Sequence, residues 1–227
     1  MRAVLLLMFL WMPLRQQSSL EVVVACRTPE IFSDYGNANF RQEIRGHRNG
    51  VSVRIESRTL DFRNLNHALN GPGAECVAQD PSVRSVGAQL RQDANSIGDY
   101  LRGISRFLKN VIAYDESDLD QEPAAVLLNR RAHCVGFSNL AQALLACAGI
   151  GSRQVNGFYL RENNGLIEPV PHRWLEIFLP GDRRVFYDPQ YQDFSSRYLL
   201  TGPGVVFSRI ERFQGVVIKK RKKILDE

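Results

Sequence analysis

Three residues in the C-terminal half of the chain have the types and the order that nucleophilic chemistry needs: Cys134, His172 and Asp188. Cys134 opens a helix-like run in which Phe137, Ala141, Leu145 and Ala148 share its face, so the thiol points toward the interior. A helix N-terminus supplies about half a positive charge there, which lowers a cysteine pKa from about 8.5 and favours the thiolate. Taken alone, Cys134 is better read as a small buried hydrophobe at a helix end. His172 starts one strand-like run (172–179) and Asp188 ends another (184–188), with Pro180, Gly181 and Asp182 turning the first back on the second. If those three residues are the whole loop, Leu179 pairs with Arg183 and Trp174 opposes Asp188. His172 then lies diagonally across from Asp188 on one face, within reach of longer side chains. A two-residue loop would put Asp188 on the opposite face. Singly, His172 reads as a strand-end surface residue and Asp188 as a turn residue before Pro189. Together they supply nucleophile, general base and orienter.

The residues around the three resemble a known family. Arg131-Ala132-His133-Cys134-Val135-Gly136-Phe137, with Ala148-Gly149-Ile150-Gly151-Ser152-Arg153-Gln154-Val155-Asn156-Gly157 after it, resembles the nucleophile helix and following strand of the transglutaminase-like superfamily, a papain-related group. His172-Arg173-Trp174-Leu175-Glu176 and Phe186-Tyr187-Asp188-Pro189 resemble its histidine and aspartate strands. The separations suit the compact bacterial members, and the likeness covers residues 93–200. It implies Cys134 as nucleophile, His172 as general base and Asp188 as its orienter, acting on a protein or peptide amide through a thioester acyl-enzyme. No metal or cofactor is required. Hydrolysis, as a peptidase or amidase, is the favoured outcome. Protein-glutamine acyl transfer and a non-catalytic binding module are the alternatives. One departure stands out: Ala132 occupies a place where such sequences usually have Gly, and Gly allows backbone angles that Ala resists. His133, about 100° around the helix from Cys134, and Trp174 are substrate-pocket candidates. The Cys134 amide is a natural oxyanion donor. A metal site on Cys134, His133 and His172 lacks a second closely spaced ligand pair.

These residues need an α+β frame: a nucleophile helix packed on an antiparallel sheet, preceded by a small β segment. Apolar residues at Ile97, Leu101, Ile104, Leu108 and Val111 predict a helix within 93–114, and Pro123 opens a short one through Asn129. The main helix runs from Cys134 to Ala148, ended by Gly149. Strands are predicted at 153–160, 172–179 and 184–188, with a last hairpin from 205–210 and 215–218. Asn49-Gly50 marks an earlier hairpin within 40–58. Residues 59–90 show no period and read as a connector, with a loop at 70–73.

Residues 3–14 are apolar apart from Pro13. As a helix they span about 18 Å, short of a bilayer core of about 30 Å and the size of a signal-peptide core. The domains expected are therefore a signal peptide or anchor at 1–25 (the alternative being a segment packed on the domain, with Leu20 to Cys26 a β-strand), a β segment and connector at 26–90, the catalytic domain at 91–218 and a basic tail at 219–227. Export to the periplasm, envelope or medium follows, with membrane or envelope association through the N-terminus; a cytoplasmic home is the alternative. In an exported protein Cys26 and Cys76 can pair, or Cys26 can be lipidated, while Cys147 reads as core. His47 and His67 read as surface. Hydrophobic residues at 44% and charged residues at 23% exclude a disordered chain. Five basic residues stand together at 219–223 in a chain of net charge +5, so the body is nearly neutral and no specific nucleic-acid partner is expected.

Overall fold

The first strand lies where a leader was expected. The computed structural model describes residues 17–224 apart from 70–75, 77, 79, 118, 165, 193 and 212. It opens with β1 (Gln17–Cys26), whose valines suit a pleated surface. β2 (Tyr35–Gly36), β3 (Phe40–His47) and β4 (Gly50–Arg58) follow, and β3 and β4 form the predicted hairpin. Gly50 has φ +150°, and a Cβ there would fall 2.0 Å from the Val24 carbonyl oxygen, so glycine is what lets β1 lie so close.

The helical part comes next. α1 (Pro81–Gln92) is capped by Asp80, which accepts from the amides of Ser82 and Val83. α2 (Ile97–Val111) is capped by Ser96, which accepts from Asp99 N and donates to its carboxylate. A short strand β5 (Ala113–Tyr114), α3 (Pro123–Asn129) and β6 (Arg131–Ala132) lead into α4 (Cys134–Cys147). β7 (Ser152–Asn163), β8 (Leu166–Leu179), β9 (Arg183–Tyr187) and β10 (Tyr198–Leu200) are followed by the short α5 (Phe207–Glu211) and β11 (Gly215–Ile224). The mixed helix and antiparallel-sheet class is as expected.

Nine strands form one sheet in the order β10-β7-β8-β11-β1-β4-β3-β2, with β9 also on β8. β8 is its hub. Its two faces serve two cores, as strand alternation requires. Leu175, Ile177 and Leu179 pack with α1 to α4 through Leu101, Ile104, Leu140 and Leu144. Trp174, pointing the other way, packs with Phe186, Phe194 and Tyr198, and with Val22, Val53 and Ile55 of the N-terminal strands.

Several expectations change here. Residues 1–16 of the expected leader lie outside the described residues. Residues 17–25 are strand, paired with β4 on one side and β11 on the other, so cleavage after Ala25 would remove a central strand. The segment at 26–90 is not a separate unit: β3 and β4 continue the main sheet, and residues 81–92 are helix rather than connector. The basic run is not a free tail, because β11 pairs with β1 from Gly215 as far as Ile224. Residues 207–211 are helical, so no hairpin forms with 215–218. The loop predicted at 70–73 lies outside the described residues. Cys147 is joined to Cys76 by a disulfide, while Cys26 is free. His47 and His67 are exposed, as read from the sequence.

Candidate active site

The nucleophile end of α4 is shaped by what precedes it. β5 and β6 pair in parallel, Ala113 with Arg131 and Tyr114 with Ala132, and deliver the chain to His133. His133 is the N-cap: its Nδ1 accepts from Val135 N at 3.3 Å. Gln121 accepts from the amides of His133 and Gly136 with one Oε1, at 3.1 Å each. A Cβ on residue 136 would lie 2.4 Å from that oxygen and 2.8 Å from the Ala132 methyl, so Gly136 makes room for both. Ala132 itself has no positive φ. The alanine in place of the usual glycine therefore costs the approach nothing. Of the first-turn amides, that of Cys134 has no acceptor among the described residues, which leaves it as the donor for an oxyanion.

Cys134 is 8% exposed. Its thiol lies close enough to His133, His172 and the backbone of Arg173 for all three to act on its titration. The β8–β9 loop has the three-residue form: Leu179 pairs with Arg183 and Leu175 with Tyr187. His172 and Asp188 thus share a face, and His172 Nε2 lies 2.6 Å from Asp188 Oδ2. That leaves Nδ1 as the ring nitrogen for Cys134. Asp188 is buried and held on every side. Its Oδ1 accepts from the amides of Gln190 (2.8 Å) and Tyr191 (3.1 Å), and its Oδ2 also accepts from the Tyr198 hydroxyl at 2.5 Å. The His172 ring stacks on Trp174 at 6.1 Å and tilts against Tyr191 at 5.2 Å.

Electrostatics follow from this packing. Burial pushes the Cys134 thiol up, but hydrogen bonds from His133 and His172, the His172 charge and the Arg173 amide bring it from 9.0 down to about 7. Burial pushes His172 down, and the Asp188 carboxylate with its hydrogen bond, together with Cys134, carries it from 6.5 up to about 9. Burial would raise Asp188, yet the His172 charge and hydrogen bond, the Tyr198 hydroxyl and the Tyr191 amide hold it below the usual carboxylate range. A thiolate beside an imidazolium is the state these values favour near neutrality. Such a pair can attack a carbonyl carbon and hand a proton to the leaving group.

The structure joins His172 to Asp188 at 2.6 Å, with Cys134 near enough to His172 for each to shift the other's titration. His133 sits beside Cys134 as the N-cap of α4. Trp174 is corrected. It is fully buried under Phe186, Phe194 and Tyr198 and lines no pocket, because its place opposite Asp188 turns it into the sheet-side core. Tyr198, the Gln121 side chain and the Arg173 amide were missed. Tyr198 reaches Asp188 only through the β10–β7 pairing, which no local pattern announces. No group of three or more His, Cys, Asp and Glu side chains stands together as a metal site among the described residues.

Residues 84–189 match the family model of the transglutaminase-like superfamily core. The curated relative YebA of Bacillus subtilis (strain 168), itself uncharacterized, is 26% identical over 125 residues, or 47% of this chain. The chain spans only 17% of that relative. A crystal structure from Cytophaga hutchinsonii, described as a candidate cysteine protease, aligns with TM-score 0.52 and 12% identity over 93% of this chain and 90% of that one, which shows a shared fold. The periplasmic domain of TgpA from Pseudomonas aeruginosa, bound to ethylmercury, aligns with TM-score 0.49 and 19% identity over 80% of this chain and 77% of that one.

Proposed function

On the premise that residues 84–189 form a transglutaminase-like core, we propose that the protein is a cysteine-type peptidase or amidase acting through Cys134, His172 and Asp188. The observation that carries this reading is the 2.6 Å contact of His172 Nε2 with the buried Asp188 carboxylate, which leaves the other ring nitrogen open to the nearby Cys134. The Cys134 thiolate adds to an amide carbonyl, forming an S–C bond as the carbonyl oxygen becomes an oxyanion facing the Cys134 amide. Collapse breaks the C–N bond, and the leaving amine takes its proton from the His172 imidazolium. The neutral imidazole then accepts a proton from water, whose oxygen attacks the thioester and releases the thiolate and a carboxylic acid, which gives its proton to solvent. Asp188 keeps the imidazole in one orientation and stabilises its charged form.

We place the protein outside the cytoplasm, on the strength of the Cys76–Cys147 disulfide, a bond that persists in oxidising compartments. Among the described residues no helix is long and apolar enough to cross a membrane. The substrate is a protein or peptide. Incubating wild type and Cys134→Ala with mixed peptides and amine donors, and reading the products by mass, tests the reaction. Cleaved peptides with wild type only are expected. Amine-conjugated peptides would replace hydrolysis by transfer, and no product from either protein would leave a binding module.

A further inference from the structure

Arg173 directly follows the proposed base, yet only its backbone enters the reaction above. Its side chain is half-buried and firmly held. Nε donates to Asn156 Oδ1 at 2.9 Å, Asn156 is itself tied to the Val205 carbonyl, and the guanidinium carbon lies 4.8 Å from the centre of the Phe207 ring. β7, the loop after β10 and α5 therefore all fix one arginine. No carboxylate stands within ion-pair distance of it among the described residues. Arg153, close by on the same strand pair, shows the contrast: it lies 2.7 Å from the buried carboxylate of Glu176. A part-buried, immobilised guanidinium with no carboxylate paired directly to it has donors to spare for a ligand's anion. Two anions bear on it electrostatically, Cys134 and Glu211, while burial depresses its pKa.

The geometry points to Arg173 as a carboxylate subsite: an amide substrate sets an anionic carboxylate on this guanidinium while its scissile carbonyl lies on Cys134. This rests on the reading of Cys134 as nucleophile. With Nε taken by Asn156, the two terminal nitrogens remain as a planar fork, the shape that grips a carboxylate. Asn156, which holds the arginine, and Val205, which holds Asn156, also border a cavity of about 510 Å³. The carboxylate can be the C-terminus of the departing residue or an acidic side chain beside the scissile bond.

The test needs no known substrate. Iodoacetate and iodoacetamide both alkylate a thiolate with loss of iodide, and they differ by one negative charge. The ratio of their rates at Cys134, measured by peptide mass on the full chain, reads the local cation. Arg173→Gln should lower the iodoacetate-to-iodoacetamide ratio about fivefold, the order of one unit charge at short range in a partly solvated site. Arg173→Lys, which keeps the charge, should hold it within about twofold. Arg173→Met, whose stem still covers Phe207, serves if the glutamine variant does not fold. Fast alkylation with a ratio indifferent to Arg173 overturns the subsite alone. Slow alkylation of wild type by both reagents overturns the nucleophile and the subsite together. Protection assays with acetylated dipeptides then distinguish the source. Protection by free-acid but not carboxamide termini assigns the terminal carboxylate, protection by glutamate but not glutamine peptides assigns the side chain, and protection by neither contradicts the proposal.

Discussion

The two cores on either side of β8 are built differently, and the candidate site lies where they meet. The helix-side core draws on α1 to α4 and one strand hairpin, a run of sequence that is nearly continuous. The sheet-side core gathers Val22, Val53, Phe158, Trp174, Phe186 and Tyr198 from segments spread across the chain. Cys134 comes from the first, while Asp188 is locked by Tyr198 from the second, and His172 spans the gap. The proposed nucleophile is thus placed by local helix capping. The proposed base is placed by long-range packing.

If that division holds, damage to the two sides should differ in kind. The largest effect is expected from Cys134→Ala, which should lower amide turnover by at least about a thousandfold while the melting temperature stays close to wild type. Asp188→Asn comes next: loss of the buried charge that orients His172 should cost between about a hundredfold and ten-thousandfold in kcat/KM. It should also move the His172 limb of the pH profile down from about 9, since the carboxylate is what raises it.

Smaller truncations separate the cores. Leu140→Ala and Trp174→Ala each remove a fully buried side chain and should destabilise by about 3–5 kcal/mol in denaturant titrations. Only Trp174→Ala should also lower activity in the fraction that stays folded, because His172 loses the ring it stacks on. Equal activity losses per folded molecule would dissolve the distinction. The smallest change is predicted for Tyr198→Phe, which deletes one hydrogen bond to a charged acceptor and should lower kcat up to about tenfold. With Oδ2 less shared, Asp188 should hold the His172 proton to higher pH, so the alkaline limb should move up. A loss of rate with no movement of that limb would make Tyr198 a structural residue only.

The same division explains what was legible in the sequence. α4 was readable from its apolar face, whereas the His172–Asp188 register stayed open between two loop lengths until the structure showed a three-residue loop whose Gly181 and Asp182 both take positive φ. α1 was missed although Val83, Val86 and Leu90 make a thin apolar stripe on the core; Gly87, which sits against the Cys76–Cys147 disulfide, interrupts that stripe. The strand predicted at 215–218 was cut short and given the wrong partner: a run of lysines carries no alternation, although β11 continues through it and pairs with β1 as far as Ile224. Trp174 was assigned to the pocket from its place beside His172; the aromatic side chains that bury it come from 186, 194 and 198, and only the folded sheet brings them over it. Local capping and turn chemistry can be read residue by residue. Packing between distant segments cannot.

The central claim, a thiol activated by His172, is tested most directly by the pH dependence of Cys134 alkylation with iodoacetamide, followed by peptide mass. The free Cys26 is the internal reference, its pKa raised by burial. The account predicts a Cys134 limb with a midpoint of about 7, well below that of Cys26, and a shift upward in His172→Ala. Coincident limbs for the two cysteines, unchanged by His172→Ala, would contradict it.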